Sequence, residues 1–441
     1  MKRFIYFLFV ATVVFDAAVQ AQLATNHLVL AAEYLSALSE EMRTNNPALR
    51  AAQSRTAAAE ANVAAVRTWE DPMARVGGTA AEREMRMDDG DVAYGVEQKL
   101  PLFGRPKWTR RVAAAEATTE LARSEFQFQQ MRAEFARTAF RTALASEVVA
   151  IAEEDLAWLE LMRRTMDSKY EAGQATLVEV LQISNEHGRR TTSLQTERDR
   201  LGAQRVTLNR FLGRGHDAAW PDLRLPEVAG PVVFNEKLVE FALRYEPKIL
   251  VIREQIRQAA AAVEVARRGR FPEIGVGLEA RQYSGDGDFR QGMLVFSTSL
   301  PWVNGRKYRE DVKRERANLR ATEFELEDYQ AALREEVHLL TVKIDAAQRE
   351  ALLYRDEILP RTRATMETVR AGWEANRGTV REMIEARRMW LEARLMYARA
   401  VAEQYEMMSD LVLCCGLGDL AALQMLGAIP EAANPAGSPS Q

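Results

Sequence analysis

The sequence contains two copies of one long unit, and this internal repeat constrains the fold more than any other feature. The segment Tyr170–Thr176 corresponds to Trp373–Thr379. Three prolines also recur at the same spacing, as Pro47 and Pro247, Pro72 and Pro272, and Pro101 and Pro301. A repeat of this length predicts two copies of a large structural unit, so whatever one half builds is built twice.

The first 21 residues are predicted to be a secretory signal peptide. Lys2 and Arg3 precede an apolar run, and small residues surround the expected cleavage after Ala21. The apolar run is too short to span a bilayer, and charges interrupt every later segment. No cysteine follows the cleavage site, so no lipid anchor is expected. We predict an exported protein without a membrane-spanning helix.

Composition argues against several classes of protein. The formal net charge of −4 disfavours nucleic acid as a partner. Cys414 and Cys415 are adjacent and late in the chain, so they form no disulfide framework. The four histidines lack ligand spacing, and no nucleophile–base pair or phosphate loop is recognisable. We therefore predict no enzyme activity, no cofactor and no metal site. The abundance of Ala, Glu, Arg and Leu is typical of long helices.

The repeat predicts a domain organisation in which each half carries two strands and one long helical hairpin. The predicted segments are a signal peptide (1–21), a first repeat (22–212) with strands near 73–82 and 92–100 and a helical hairpin at 105–212, a connecting strap (213–235), a second repeat (236–415) with strands near 273–282 and 291–300 and a helical hairpin at 306–412, and a C-terminal tail (416–441). Glycines and acidic residues between the strands of each pair indicate β-hairpins.

Three helices are predicted in each repeat. A helix of about 40 residues precedes Pro72 (28–70) and Pro272 (235–269), because proline disfavours helix in the residue before it. After the strands, an uninterrupted run beginning at Arg105 is long enough for a helix of about 100 Å. The returning helices show the seven-residue spacing of a coiled coil, at Val180, His187, Leu194, Leu201 and Leu208, and at Ile384, Leu391, Ala398, Tyr405 and Val412.

The strands alternate between apolar residues and small or charged ones. In the strand near 92–100, Val92, Tyr94, Val96 and Leu100 share one face, and Ala93, Gly95, Glu97 and Lys99 share the other. Strands of about ten residues with this alternation are typical of membrane β-barrels. Four strands cannot close a barrel, and lipid does not tolerate an open sheet edge. We therefore predict an oligomer, with a soluble sheet that has one hydrated face as the alternative.

The signal peptide, the twofold repeat, the strand exits at 100–105 and 300–306 and the paired segments at 170–176 and 373–379 together resemble the TolC family of outer-membrane efflux proteins. The resemblance implies a homotrimer with a 12-stranded barrel in outer-membrane lipid and a helical tunnel in the periplasm. It also implies a periplasmic adaptor protein and an inner-membrane pump of the resistance-nodulation-division type as partners. The chain is most similar to the heavy-metal (cobalt-zinc-cadmium type) subgroup, although many members of that subgroup carry a lipid-anchor cysteine that is missing here.

The resemblance also assigns candidate functional residues. The paired segments fall where the family places the periplasmic tips of its helical hairpins, which dock on the adaptor. Glycine or asparagine can supply the left-handed backbone that such a turn needs. The tip residues are Tyr170, Gly173 and Thr176 in the first repeat and Trp373, Asn376, Gly378 and Thr379 in the second. A hairpin turn without a partner is the alternative.

Family members close the periplasmic end with rings of acidic side chains beyond the second tip. Glu382 and Glu385 have the spacing that places both on one helix face. In a trimer they would form two rings of three carboxylates, which would repel one another and attract cations. Glu179 takes the place of Glu382 in the first repeat, whereas Gln182 replaces the second acid. Solvated surface glutamates are the alternative interpretation.

Taken together, these features predict the outer-membrane channel of a tripartite efflux system. The protein would be a passive conduit for solutes or metal ions exported by the inner-membrane pump. Two alternatives stay open at this point. One is the channel of type I protein secretion, and the other is a soluble periplasmic coiled-coil scaffold.

Overall fold

A computed structural model describes residues 27–66, 69–78, 91–283, 287–375 and 377–427. The predicted signal peptide, the tail beyond 427 and all of residues 79–90, which include the end of the strand predicted near 73–82, lie outside this part of the chain. The helices are α1 (Ala32–Asn45), α2 (Pro47–Ala65), α3 (Arg105–Glu171), α4 (Leu177–Leu212), α5 (Glu236–Tyr245), α6 (Pro247–Arg268), α7 (Gly305–Leu353), α8 (Leu359–Glu374), α9 (Val380–Cys414) and α10 (Leu420–Gly427). The strands are β1 (His27–Val29), β2 (Met73–Gly78), β3 (Asp91–Leu100), β4 (Asp222–Arg224), β5 (Ile274–Tyr283) and β6 (Phe289–Thr298).

The helix predicted before each β-hairpin is in fact two helices. The break lies at Asn46–Pro47 in the first repeat and at Glu246–Pro247 in the second. Pro47 is the first residue of α2, a position where a missing N–H costs nothing. The Asn46 side chain accepts a hydrogen bond from the amide of Ala48 (2.8 Å) and so caps the new helix. The prediction of one continuous helix was wrong because a proline at N1 starts a helix as readily as a later proline ends one.

The ends of the first predicted segment also differ from expectation. Leu28 lies in strand β1, which pairs in parallel with β4 of the strap. The predicted tail contains the short helix α10. The β1–β4 pairing joins residues about two hundred positions apart, so no local sequence pattern predicts it.

The chain divides into two units, each assembled from both repeats. One unit comprises Met1–Arg50, Phe128–Glu246 and Ala332–Gln441, and the other comprises Ala51–Gln127 and Pro247–Ala331. The first contains most of the helical hairpins and the strap. The second contains the sheet and the helices next to it.

The sheet joins the two β-hairpins edge to edge in the order β2-β3-β5-β6, with all neighbours antiparallel. Its apolar face is open: Val76 is 81% exposed and Phe296 is 70% exposed. Its opposite face buries Glu97, which is paired with Arg75 of β2 and accepts a hydrogen bond from Ser297 of β6. The predicted alternation is therefore present in the described strands, with the apolar side chains outward and a charged group held on the other face.

Gly275 and Gly277 of β5 make room for the Glu97 side chain. A Cβ at Gly275 would lie 2.7 Å from Glu97 Oε1, and one at Gly277 would lie 3.2 Å from Glu97 Cα. The two glycines thus allow a carboxylate to lie flat across the sheet and to reach its partners on both outer strands.

In the helical unit, the predicted seam residues of α4 and α9 face inward. None of the ten is exposed, and Leu194, Leu201 and Leu208 of α4 are buried together with Leu391, Ala398, Tyr405 and Val412 of α9. Phe140 of α3 stacks on Tyr405 with ring centroids 5.0 Å apart. A narrow apolar seam therefore packs each returning helix, as the heptad spacing indicated.

None of the described helices combines the length and the hydropathy required to cross a bilayer.

Candidate functional site

The first tip is a five-residue turn between α3 and α4. Gly173 adopts the left-handed conformation (φ 70°), and its amide donates to the carbonyl of Tyr170 (2.9 Å). The amide of Gln174 donates to the carbonyl of Lys169 (2.7 Å), which completes a glycine-terminated helix end. Gly173 is therefore where the predicted turn needs it.

The second tip connects α8 to α9. The amide of Arg377 donates to the carbonyl of Gly372 (2.8 Å), and a Cβ at Gly378 would lie 3.2 Å from the backbone nitrogen of Trp373. Asn376, the residue predicted to adopt the left-handed conformation here, lies outside the described residues. The second turn is tight enough that a side chain at position 378 would press on the backbone.

Each tip leads into its returning helix through a capping box. Thr176 accepts a hydrogen bond from the amide of Glu179 (3.3 Å), and the Glu179 carboxylate accepts one from the amide of Thr176 (2.8 Å). Thr379 and Glu382 repeat this arrangement at 3.3 and 2.9 Å. Such reciprocal bonds satisfy two amides that the first helical turn leaves unpaired. Two of the three predicted gate residues therefore have a local structural role as well.

The pKa of Glu179 is held below its ordinary value because the carboxylate accepts hydrogen bonds from the Thr176 backbone and side chain. Glu385, the third predicted gate residue, lies on the same exposed face as Glu382 and contacts Arg388 (3.4 Å). The structure thus brings Glu382 and Glu385 together on one face of α9, and it places Glu179 on the neighbouring hairpin.

A shared apolar cluster packs the two tips against each other. Met162, Met166, Ile183 and Val380 are buried, with Trp158, Ala175, Val180, Trp373 and Ile384 around them. The ammonium of Lys169 lies 4.1 Å from the centre of the Trp373 ring, a cation–π contact between the two hairpins. The predicted tip residue Trp373 therefore joins the tips in addition to any role at the surface.

The two tips differ in what they expose. Leu177 is 53% exposed directly after the first cap, whereas Val380, the corresponding residue after the second cap, is 1% exposed. Val178 and Leu181 extend the exposed apolar edge of the first tip. The first tip thus presents an apolar surface that the second lacks.

An ion-pair network behind the tips, whose central Arg387–Asp155 pair is buried, was not predicted from the sequence. Arg387 of α9 contacts Asp155 (3.3 Å) and Glu154 (3.3 Å) of α3, and Asp155 also contacts Arg190 of α4 (3.3 Å). The Arg387 guanidinium lies over the ring of Trp390, 4.8 Å from its centre. The network links three helices from both hairpins. The signal available in the sequence was a charged residue, Arg387, on the inner face of α9, at a position where the first repeat has Ser184.

Burial and ion pairing have opposite effects on the pKa values of the acidic residues in this region. Burial raises the pKa of Asp155, and its two arginine partners only partly offset that effect. Hydrogen bonds from Arg163 and Arg164 lower the pKa of the half-buried Glu160 to about 2. The buried acid is therefore the one whose charge is least favourable in the folded protein.

Among the described residues, no group of His, Cys, Asp and Glu side chains is arranged to hold a metal ion. Cys414 and Cys415 are buried free thiols, and burial raises the pKa of Cys415 to about 12. Thiols with a raised pKa are poor nucleophiles and poor metal ligands.

Comparison with known proteins identifies the family to which the chain belongs. The sequence matches the family described as outer membrane efflux protein over residues 38–214 and 238–416, one segment in each repeat. No functionally curated protein sequence matches the chain. The fold is similar to the outer-membrane channel OprN, with a TM-score of 0.74 and 19% identity over 87% of this chain and 89% of OprN.

Two other channels share the fold. The CmeC outer membrane channel of Campylobacter jejuni has a TM-score of 0.74 and 14% identity over 90% of each chain. CusC has a TM-score of 0.73 and 15% identity over 87% of this chain and 92% of CusC. The family match covers most of the sequence, and the mainly helical fold agrees with it. The chain therefore belongs to the outer membrane efflux protein family of TolC-type channels, and it is an efflux channel of the outer membrane that extends into the periplasm.

Proposed function

We propose that three copies of this chain form a 12-stranded barrel continued by a helical tunnel, and that this assembly is a passive conduit. The observation that carries the proposal is the sheet. Its apolar face is exposed, and among the described strands β2 and β6 have one unpaired edge each. In lipid such edges must be paired, and twelve strands leave room for a lumen. The soluble-scaffold hypothesis is dropped, because the family is one of outer-membrane channels.

The tips are the proposed docking surface for a periplasmic adaptor that links the channel to an inner-membrane pump of the resistance-nodulation-division type. Tyr170, Gly173, Thr176, Gly378 and Thr379 lie at or beside the two turns, and Trp373 packs between them. The capping boxes fix the turns, so an adaptor would meet a preformed surface. Leu177 is exposed at the first tip, whereas the corresponding Val380 is buried at the second. The two hairpins would therefore offer an adaptor different contacts.

Glu382 and Glu385 are the proposed gate, and together with Glu179 they would give the closed end a preference for cations. Both α9 carboxylates are exposed on one helix face. Three copies around an axis would concentrate six carboxylates in a narrow space, where they attract cations and repel one another. The proposed cargo is a heavy-metal ion or small solute, on the strength of the sequence resemblance to the cobalt-zinc-cadmium subgroup. A channel for type I protein secretion is the second candidate.

The test is single-channel conductance of the full-length protein purified from outer membranes in mild detergent, with its mass measured in the same preparation. The variant Glu382→Gln/Glu385→Gln removes both charges and keeps a side chain that can still serve in the capping box. We expect a trimer with a small cation-preferring conductance, and we expect the variant to lose that preference.

Glu403→Ala is the matched control. It removes one exposed carboxylate on the same face of α9, about 27 Å from Glu385 along the helix. The control should leave ion preference unchanged. A monomer without conductance would refute the barrel, and a conducting trimer with unchanged preference in the glutamine variant would refute the gate alone.

A further inference from the structure

A cavity of about 360 Å³ lies where the chain leaves strand β3 and where it enters strand β5. Its charged lining consists of Lys99, Arg105, Arg268, Glu70 and Glu273. All of these residues belong to the unit that contains the sheet. We call this cavity the exit site. Its volume is that of a small-ligand pocket, so it could hold a lipid headgroup but not a whole lipid.

The charges that line the exit site do not balance. The ammonium of Lys99 lies 3.0 Å from a carboxylate oxygen of Glu70 and 3.8 Å from one of Glu273, and Arg105 also pairs with Glu273. Arg268 remains: its guanidinium donates to the carbonyl of Phe103 (2.9 Å), and no carboxylate among the described residues pairs with it. A ligand with one negative charge would complete the balance. Phosphate is the anion that best matches the planar donors of arginine.

The backbone next to Arg268 has an unfavourable conformation. Phe103 has a φ of 59°, and within the part of the chain that the structure describes no other residue except glycine has a positive φ. A left-handed backbone is costly for a bulky side chain and persists only where surrounding contacts maintain it. Here the hydrogen bond from Arg268 and the stacking of Phe103 on Phe271, with ring centroids 5.1 Å apart, maintain it. The same hydrogen bond holds the guanidinium at the exit site.

The chain around the strand ends is strongly basic. Residues 69–72, 101–111, 264–273 and 299–309 together contain ten Lys and Arg residues and four acidic ones, although acidic residues outnumber basic ones in the whole sequence, 63 to 59. Clusters of Lys and Arg beside a membrane surface attract the phosphates of its lipids. The local charge therefore favours an anionic ligand at this end of the sheet.

Exposed apolar residues lie next to these charges. Leu102 and Phe103 line the exit site and are 44% and 42% exposed. Both follow β3, which is an inner strand of the sheet. Copies that pair through the outer strands β2 and β6 would join the sheet on either side of this exit and not at it. A cavity with an unpaired cation and an exposed apolar rim is complementary to a molecule with an anionic head and an apolar tail.

We propose that the exit site binds the phosphodiester headgroup of a glycerophospholipid from the inner leaflet of the outer membrane, with Arg268 contacting the phosphate. The acyl chains would lie along Leu102 and the Phe103 ring. The inference rests on the proposed barrel, because the barrel places the strand exits at the level of the headgroups. No residue in the corresponding turn of the second repeat, Pro301–Asn304, has a positive φ. We therefore expect one lipid per chain.

The experiment is native mass spectrometry of the full-length protein, purified in mild detergent, stripped of lipid and titrated with phosphatidylglycerol. Diacylglycerol with the same acyl chains and inorganic phosphate are the comparison ligands. We expect phosphatidylglycerol to saturate at one molecule per chain, at concentrations where neither comparison ligand binds. Equal binding of diacylglycerol would overturn the role of the phosphate. Equal binding of inorganic phosphate would overturn the lipid and assign the cavity to a free anion.

The variant Arg268→Gln removes the positive charge and can still donate a hydrogen bond to the Phe103 carbonyl. We expect it to bind phosphatidylglycerol at least about tenfold more weakly, because it loses a charged hydrogen bond. Arg267→Gln is the matched control, since it removes the same charge from an exposed neighbour that pairs with Glu264. It should change the affinity by less than about twofold. Equal effects of the two variants would indicate a general charge effect and overturn the site.

A third variant, Arg268→Lys, separates loss of recognition from loss of folding. We expect it to bind the lipid more tightly than Arg268→Gln, because the lysine charge still attracts phosphate. If it binds as weakly as the glutamine variant, the positive charge is not the basis of recognition and the proposal fails.

The same spectra report the mass of the assembly. A conducting trimer that binds no lipid in this way would refute the present inference alone. A monomer without conductance would refute the proposed channel. Lipid binding that still depended on Arg268 in that monomer would support the exit site as a phosphodiester site.

Discussion

The two helical hairpins are built from corresponding segments, but their outgoing helices differ. In the first hairpin, α3 runs from Arg105 to Glu171 without interruption and keeps buried side chains up to the tip. In the second, α7 ends at a π-turn formed by Tyr354–Ile358, and α8 has no buried side chain. The caps at the two tips are nearly identical. The comparison indicates that duplication fixed the ends of the hairpins, whereas the paths between those ends diverged.

The hairpins also agree at their other end. Gly213 after α4 and Gly416 after α9 both have positive φ, and a Cβ at either would lie within 2.7 Å of a backbone carbonyl oxygen, that of Asn45 or Tyr245. Only glycine fits such a helix end without strain. Gly213 and Gly416 are thus shared by the two repeats because the backbone geometry at both positions permits only glycine.

The largest expected effect comes from the network that joins the unequal hairpins. Arg387→Met leaves Asp155 buried with Arg190 as its remaining contact from this network, so we expect a loss of about 3 kcal/mol in the free energy of unfolding. Denaturant unfolding followed by helical circular dichroism measures it. Arg388→Met, one residue away and exposed, should change stability by less than about 0.5 kcal/mol. Equal losses in the two variants would mean that burial of the Arg387–Asp155 pair contributes nothing to the free energy of unfolding.

The next effect separates the two tips at matched positions. Val380→Ala removes buried methyl groups from the shared cluster and should cost about 2 kcal/mol. Leu177→Ala, directly after the other cap, removes an exposed side chain and should be nearly neutral for folding. The same unfolding measurement applies to both. If the leucine variant were as destabilising as the valine variant, the claimed difference in exposure between the tips would be wrong.

The smallest effect concerns the caps, where the hairpins agree. Thr176→Ala and Thr379→Ala should each cost about 1 kcal/mol, because each removes the side-chain acceptor of a helix N-cap. Local hydrogen exchange at each tip is the measurement. A loss at one tip alone would show that the two capping boxes are not equivalent.

The first cap should also depend on pH. Glu179 has a folded-state pKa below its ordinary 4.5, so its stabilisation is complete above that value and is lost as the pH falls through the lowered pKa. Protection at the first tip should therefore decrease on acidification below pH 4.5 in the parent protein. Thr176→Ala should weaken that dependence, because it removes one of the hydrogen bonds that lower the pKa. An unchanged pH dependence in the variant would contradict the assignment.

Local chemistry explains which features could be predicted from the sequence. The tips, the strand alternation and the heptad seams each follow from residues a few positions apart, and the structure has glycine, threonine and apolar side chains in those roles. The break at Pro47 was missed because proline both ends and begins helices. The Arg387–Asp155 contact was missed because the two residues are more than two hundred positions apart, and the sequence does not show which acidic residue a given arginine contacts.

The sequence alone determined the twofold plan, the predominance of long helices and the positions of the turns. These depend on backbone rules for proline and glycine and on periodicities of two and seven residues, which act locally and therefore occur in both repeats. Only the tertiary structure decided that Glu97 lies across a glycine-lined sheet and that Arg387 of α9 meets Asp155 of α3. Those outcomes depend on which side chains meet after distant segments pack, and that is set by burial and hydrogen-bond pairing across the whole chain.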